Sequence, residues 1–178
     1  MHDAVLRITE GHCDLLLAYD PPSQPLQLSA ERYEMLTLGQ ETLAPFARAD
    51  ADGRPIWRLP GHASARLPFL SYASGAYMAR LVEHILKAAP EPPVLELVYE
   101  TDMAESLKAM VLEGHGLAFL PVSSVQKDLR ARRLAPAAEP AAWEQTMDVR
   151  LVRERPASAR GMKPGASALW EHVARQRG

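Results

Sequence analysis

Ser74-Gly75-Ala76, Thr101-Asp102-Met103 and Val122-Ser123-Ser124 are the residues whose types and spacing suit ligand chemistry in this chain. Each triplet stands where an apolar run gives way to a helical pattern, and a helix start carries unpaired N–H groups and the positive end of a dipole. Three such starts aimed at one place favour a carboxylate or similar small anion. Gly75 would let a ligand approach the backbone closely. Ser74, Thr101 and Ser123 are also the residue types that cap helices, so the pattern carries a capping reading beside the ligand reading. Tyr19 and Asp20 end an earlier apolar run and would face the same cleft, with Asp20 alternatively opening the Pro21-Pro22 turn. Met78 and Met103 fall in the first turns of two of these helices. A thioether oxidised there would put a polar sulfoxide where an open-closed equilibrium could feel it; plain packing on an apolar stripe is the alternative.

Catalysis finds no support in the same residues. The sequence has no Gly-x-Ser-x-Gly elbow, no phosphate loop and no His-Glu-x-x-His pair, so no nucleophile, nucleotide site or catalytic metal is expected, and no cofactor. Glu100 and Asp102 are close in sequence, but two acids at a helix start read as capping. His12, Cys13 and Asp14 could each ligate a metal, yet neighbours on a strand point to opposite faces and the spacing matches no zinc pattern. Cys13 reads as a small buried hydrophobe and His115 as a solvated turn residue. Arg130, Arg132 and Arg133 crowd the far end of a helix, where cations suit the dipole.

The elements that must hold these groups follow from the hydrophobic pattern. The opening segment reads as a short helix, with Asp3 as its cap, Val5 and Ile8 on one face and Gly11 as its stop. Cys13 to Tyr19 reads as a strand covered on both faces. Two strands are expected over Tyr33 to Leu38 and Glu41 to Ala47, divided by Gly39. Then come three strand-helix units. Leu67 to Tyr72 precedes a helix capped by Ser74, with Met78, Leu81, Val82 and Ile85 inward; Val94 to Glu100 precedes one opened by an Asp102/Glu105 capping box, with Met103, Leu107, Met110 and Val111 inward. Leu117 to Leu120, closed by Pro121, precedes a helix capped by Ser123 or Ser124. Ala135 to Ala142 reads as a crossing, Met147 to Arg153 as a strand, and Ala166, Leu169, Trp170 and Val173 as one face of a last helix.

This pattern predicts an α/β chain of two lobes. The first is discontinuous, over residues 1–61 and 144–178, and the second is continuous, over residues 62–143, with ligand in the cleft between them. The 178 residues are 47% apolar and 24% charged, an ordinary globular composition, and the net charge of −2 offers no footprint for a phosphate backbone. A lone cysteine and the lack of an export signal or membrane span point to a cytoplasmic protein with no membrane partner.

Leu6-Arg7-Ile8-Thr9-Glu10-Gly11-His12-Cys13-Asp14-Leu15-Leu16 resembles the "L-x-x-G-x-x-D-L-x-I" signature of LysR-type transcriptional regulators. Val111 to Pro121, with its Gly114-His115-Gly116 core, resembles their "V-x-x-G-x-G-I-A-x-L-P" signature. Tyr72-x4-Tyr77-Met78-x-Arg80-Leu81, followed by Met103-x3-Leu107-Lys108, is similar to the hypochlorite-responsive branch of that family. The resemblance implies a two-lobed periplasmic-binding-protein-like (type II) fold that receives a small anionic effector or an oxidant. Such modules are homo-oligomeric and control DNA through a winged helix-turn-helix, which is absent from this chain. The family's first strand-helix-strand should precede Met1, so the first lobe is expected to be incomplete at its N-terminus, as in a truncated or mis-started product with an exposed strand edge. A stand-alone solute-binding protein of the same architecture is the alternative.

Overall fold

Hydrophobic spacing and punctuation place most elements where the sequence puts them. The computed structural model describes residues 2–139, 142–156 and 161–177. In chain order these form α1 (His2–Thr9), β1 (Leu15–Asp20), β2 (Tyr33–Arg48), β3 (Leu67–Tyr72), α2 (Tyr77–Ala88), β4 (Leu95–Thr101), α3 (Ala104–Leu112), β5 (Ala118–Pro121), α4 (Val122–Arg130), β6 (Leu134–Pro136), β7 (Gln145–Glu154) and α5 (Pro164–Arg177). Two compact units result, Met1–Glu41 with Met147–Gly178, and Thr42–Thr146. Their limits fall inside the long strands β2 and β7, whereas the pattern of turns had suggested 61/62 and 143/144.

In the first unit α1 packs on β1 and turns out at Gly11, whose φ of 75° suits a residue without Cβ. The side chain of Asp3, expected to cap α1, lies outside the described residues. Ile8, Leu16, Ala18, Tyr33 and Val152 form the core, with Val5, Cys13, Leu26, Leu28 and Met35 packed against it. Ile8 is 2% exposed, and burying it contributes about 2 kcal/mol. β1 pairs antiparallel with β7, from Leu15 opposite Arg153 to Asp20 opposite Asp148. It is not covered on both faces as expected: Leu16 and Ala18 are buried while Leu17 is 62% exposed, the alternation of an antiparallel strand with one buried face. In α5, Trp170 is buried and stacks on the Arg153 guanidinium, 4.3 Å from the ring centre, whereas Leu169, expected inward, is half exposed.

The second unit is organised around β2, β3 and β5. The two strands expected on either side of Gly39 are a single 16-residue strand. Gly39 is in none of the positive-φ conformations that would turn the chain there, so it extends rather than breaks β2. The later half of β2 pairs antiparallel with β5, from Leu43 opposite Pro121 to Phe46 opposite Ala118, and with β6. β3 pairs parallel with β4 and meets β5 through the parallel bridge Phe69 to Leu117. Leu70, Leu81, Leu107, Val111, Leu117, Leu120 and Val125 are fully buried between this sheet and its helices, and Phe119 meets Phe69 edge to face at 6.4 Å. Of the expected crossing over Ala135 to Ala142, residues 140 and 141 lie outside the described residues, and its start is part of β6.

Candidate functional site

The three tip segments leave one edge of the second unit's sheet because their strands run parallel. Tyr72 is the last residue of β3 and faces Thr101, the last of β4. Just beyond them the Ala73 amide donates to the Thr101 carbonyl at 2.8 Å. β5 lies parallel to β3 through Phe69 and Leu117, so Pro121 and the start of α4 emerge on the same side.

Capping at these tips is not what the residue types suggest. Ser74 does not cap α2: the N-cap is Ala76, without a side-chain bond, and Ser74 sits exposed in a turn closed by the Ala76 amide donating to the Ala73 carbonyl at 3.0 Å. Gly75 has φ 85°, and a Cβ there would meet no atom within 4 Å, so within the chain its glycine serves the turn and not a close approach. Nor do Asp102 and Glu105 form a capping box. Met103 is the N-cap of α3; its amide donates to Thr101 Oγ1 at 3.3 Å, and Glu105 pairs with Lys108 at 2.6 Å instead. Asp102 is exposed. α4 begins directly after Pro121, one residue before Ser123, so neither serine is its cap; Ser124 Oγ donates back to the Pro121 carbonyl at 2.7 Å. The proline at the strand's end already has the fixed φ, −59°, from which a helix can start.

Two cations of the Tyr72–Leu81 and Met103–Lys108 motifs also belong to this edge. Arg80, one turn into α2, donates from a terminal guanidinium nitrogen to the Gly75 carbonyl at 2.8 Å and lies 5.8 Å from the Tyr77 ring centre. Lys108 donates to the Ser124 carbonyl at 3.3 Å, tying α3 to the start of α4. Their signal in the sequence was positional: each stands a helical turn after its tip. Backbone N–H groups, helix dipoles and an arginine in one place can bind an anion.

Met78 is half-buried in the first turn of α2. Met103, expected on the inward face of its helix, is 59% exposed, because as N-cap it precedes the helical stripe that buries Leu107 and Val111.

Tyr19 and Asp20 belong to the first unit. Tyr19 faces Val149 on β7, and burial, with the nearby Glu41 carboxylate adding to it, pushes its phenol pKa up. Asp20 is engaged at both oxygens: it accepts from the Leu26 amide at 2.8 Å and from Arg150 Nε at 3.2 Å, while Arg150 also donates to Thr37 at 2.6 Å. The first of these bonds spans six residues and closes the Pro21–Pro25 loop, in place of the bond two residues on that an Asx turn would make.

His12, Cys13 and Asp14 lie in the turn between α1 and β1 and not on the strand, so alternation of faces does not apply to them. His12 pairs with Glu10 at 3.3 Å, and Cys13 packs on the core, where burial and then Asp14 push its thiol pKa up. Cys13 also borders a cavity of about 210 Å³ with Thr9, Arg32 and Met162. In the second unit, Phe46, Val122, Leu129 and Trp143 line an apolar hollow of about 190 Å³.

The sequence matches the profile of the LysR substrate binding domain over residues 1–177. It is 26% identical over 132 residues to the HTH-type transcriptional regulator YjiE of Escherichia coli K12, covering 74% of this chain and 41% of that protein. It is likewise 26% identical to the HTH domain-truncated transcriptional regulator QseD of Escherichia coli O157:H7, covering 74% of this chain and 51% of that protein. The chain thus spans about half the length of these relatives. Among solved structures, the full-length hypochlorite-specific LysR-type regulator HypT of Salmonella typhimurium superposes with a TM-score of 0.82 at 21% identity, over 99% of this chain and 56% of that one.

Proposed function

Because the chain belongs to the LysR substrate binding domain family, whose fold is the two-lobed periplasmic-binding-protein-like α/β fold, we propose that it is the effector-sensing part of a transcription regulator. In this reading a small anion binds at the tips formed by residues 73–76, 101–103 and 121–124. The observation that carries it is the shared edge, where three segments with helix-start amides and the Arg80 guanidinium lie together. Ser74, Gly75, Ala76, Thr101, Asp102 and Ser123 supply backbone and hydroxyl groups. The module performs no catalysis. It works in the cytoplasm as a homo-oligomer, and reaches DNA only through a winged helix-turn-helix outside this sequence. A net charge of −2 fits a sensing role better than a phosphate-gripping one.

A second reading has its own observation. Met103 is exposed at the tip of α3, and its oxidation would place a polar sulfoxide beside the Thr101 hydroxyl that orders this turn. HypT is described as hypochlorite-specific, and the motif around Tyr77, Met78 and Arg80 is similar to that branch.

Thermal-shift measurement with formate, acetate, phosphate and sulfate tests the first reading. An anion at a hundred times its Kd adds about 2.7 kcal/mol to folded-state stability, or roughly 5–10 °C in Tm for a chain of this size. Arg80→Ala should abolish that rise. If no anion moves Tm but hypochlorite oxidises Met103 ahead of the other methionines and shifts Tm, the oxidant reading stands instead. If neither happens, both fail.

A further inference from the structure

We propose that the apolar hollow beside α4 is a binding site for a small aromatic amine. The inference stands without the effector reading. The hollow shares only Val122 with the tips at which an anion is proposed to bind, and it offers carboxylates where those tips offer a guanidinium.

Local packing leaves this space open. Val122, Val125 and Leu129 recur at helical spacing along α4; Val125 is fully buried, whereas Val122 and Leu129 are half-buried and border the hollow. Pro136 ends β6, and the chain beyond it is pinned at Ala137, whose amide donates to the Pro45 carbonyl at 2.9 Å and whose carbonyl accepts from the Leu59 amide at 2.8 Å. It comes back with Trp143 buried to 4% exposure. Between these anchors Ala138 has only a methyl group to offer, and about 190 Å³ is left unfilled by the described residues.

Size and lining select the occupant. An apolar cavity of about 150 Å³ takes up one benzene ring, so this one has room for a ring with a short arm. Phe46 and Trp143 supply aromatic surface for that ring, and water is held poorly there for want of polar partners. Charge selects the arm. Two carboxylates border the hollow: Glu139 is neutralised by Arg58, while Glu144, half-buried, has no ion-pair partner among the described residues. An ammonium group on the arm gains a charge-assisted hydrogen bond from Glu144 and attraction to the aromatic walls. A carboxylate in the same place meets a like charge.

Isothermal titration of the whole chain with benzylamine, benzyl alcohol and benzoate tests the assignment. Benzylamine should bind saturably, benzyl alcohol about fivefold more weakly because it keeps the ring and loses the charge, and benzoate should not compete with either. Glu144→Gln should lower the affinity for benzylamine to that for benzyl alcohol while leaving benzyl alcohol unchanged, which shows the ring site intact. Ala138→Leu, which fills the space from a half-buried position, should abolish binding of both; if that variant melts lower than the parent, Glu144→Gln decides by itself. Arg80→Ala should change neither. The proposal is overturned by absence of saturable benzylamine binding, by equal affinity of Glu144→Gln and the parent for benzylamine, or by retained binding in a folded Ala138→Leu. Loss of binding in Arg80→Ala would overturn it as well, because the amine would then sit at the other site.

Discussion

A Cβ added to Gly116 would stand 2.6 Å from the carbonyl oxygen of Pro68. That approach is what lets β5 dock on β3: the Leu117 amide donates to the same Pro68 oxygen at 2.9 Å, and the Leu70 amide donates to the Leu117 carbonyl at 2.9 Å. Since the obstacle is backbone and not the end of a flexible side chain, neither strand can yield without losing one of these bonds. Gly116→Ala should therefore cost about 2–3 kcal/mol in urea unfolding, the sum of overpacking and a strained ladder. Gly39→Ala is the control. A Cβ at Gly39 meets nothing within 4 Å, so removing the glycine's entropy cost within β2 should leave stability unchanged or raise it by up to about 1 kcal/mol.

Arg132 ends α4 with φ 54°, the only non-glycine residue in the left-handed region among the described residues. Its amide donates to the Leu129 carbonyl at 3.0 Å, the geometry of a helix stop that glycine adopts without strain. Arg132→Gly should stabilise the chain by about 1 kcal/mol, and Arg132→Val should destabilise it by at least as much, because a branched Cβ suits this conformation least. Equal melting temperatures for the two variants would contradict the strain.

How far the sequence reached depended on which residue had to be read. The stripe Leu81, Val82 and Ile85 and the pair Leu107 and Val111 are spaced for one helical face, and all are buried. Gly11 and Gly114 sit after helical runs and have φ 75° and 81°. Gly39 misled because glycine marks both breaks and extended strands, and strand pairing on each side of it, invisible locally, decided for extension. Ser74 and Ser123 misled for a related reason. Their preference for caps is about 1 kcal/mol, and the strand exits at Tyr72 and Pro121 already fixed where the helices begin. Arg80 was legible only as a member of a family motif and not as a site residue, because its contact, the Gly75 carbonyl, exists only once the turn has formed.

Alkaline pH should weaken the first unit. Burial raises the pKa of Tyr33 and of Tyr19, Glu41 adding to the latter, and burial raises that of Cys13 with help from Asp14. In each case the folded state holds its proton more tightly than the unfolded chain does. The stability is fully present below the unfolded-state values, about 8.5 for the thiol and about 10 for the phenols, and is lost as pH rises through the folded-state values. Melting temperature should hold level to about pH 8 and fall beyond it, most steeply above about pH 10. Tyr33→Phe should flatten that fall. It should also cost little at neutral pH, since the Tyr33 hydroxyl is buried without a hydrogen-bond partner among the described residues. A slope unchanged in Tyr33→Phe and Tyr19→Phe alike would remove tyrosine from the account.

The hold on α1 concentrates in Arg32. Its Nε pairs with Glu154 of β7 at 2.6 Å, a terminal nitrogen donates to the Thr9 carbonyl at 3.4 Å, and its plane lies 5.3 Å from the centre of the Tyr33 ring. One side chain thus joins the C-terminal end of α1, where a cation also meets the negative end of the dipole, to the strands beneath it. An eight-residue helix is too short to persist alone, so its order depends on such ties and on the burial of Ile8. The Arg32 side chain is 48% exposed, and solvent screening holds the ion pair to the modest strength of a surface contact. Arg32→Ala should therefore leave global unfolding nearly unchanged while the amides of residues 6–10 exchange roughly two- to fivefold faster. Glu154→Gln, which keeps a hydrogen-bond acceptor but removes the charge, should produce a smaller change in the same amides. Exchange at Leu117 and Leu120, in the other unit, should not respond to either substitution; acceleration there would show that Arg32 supports the whole chain and not α1 alone.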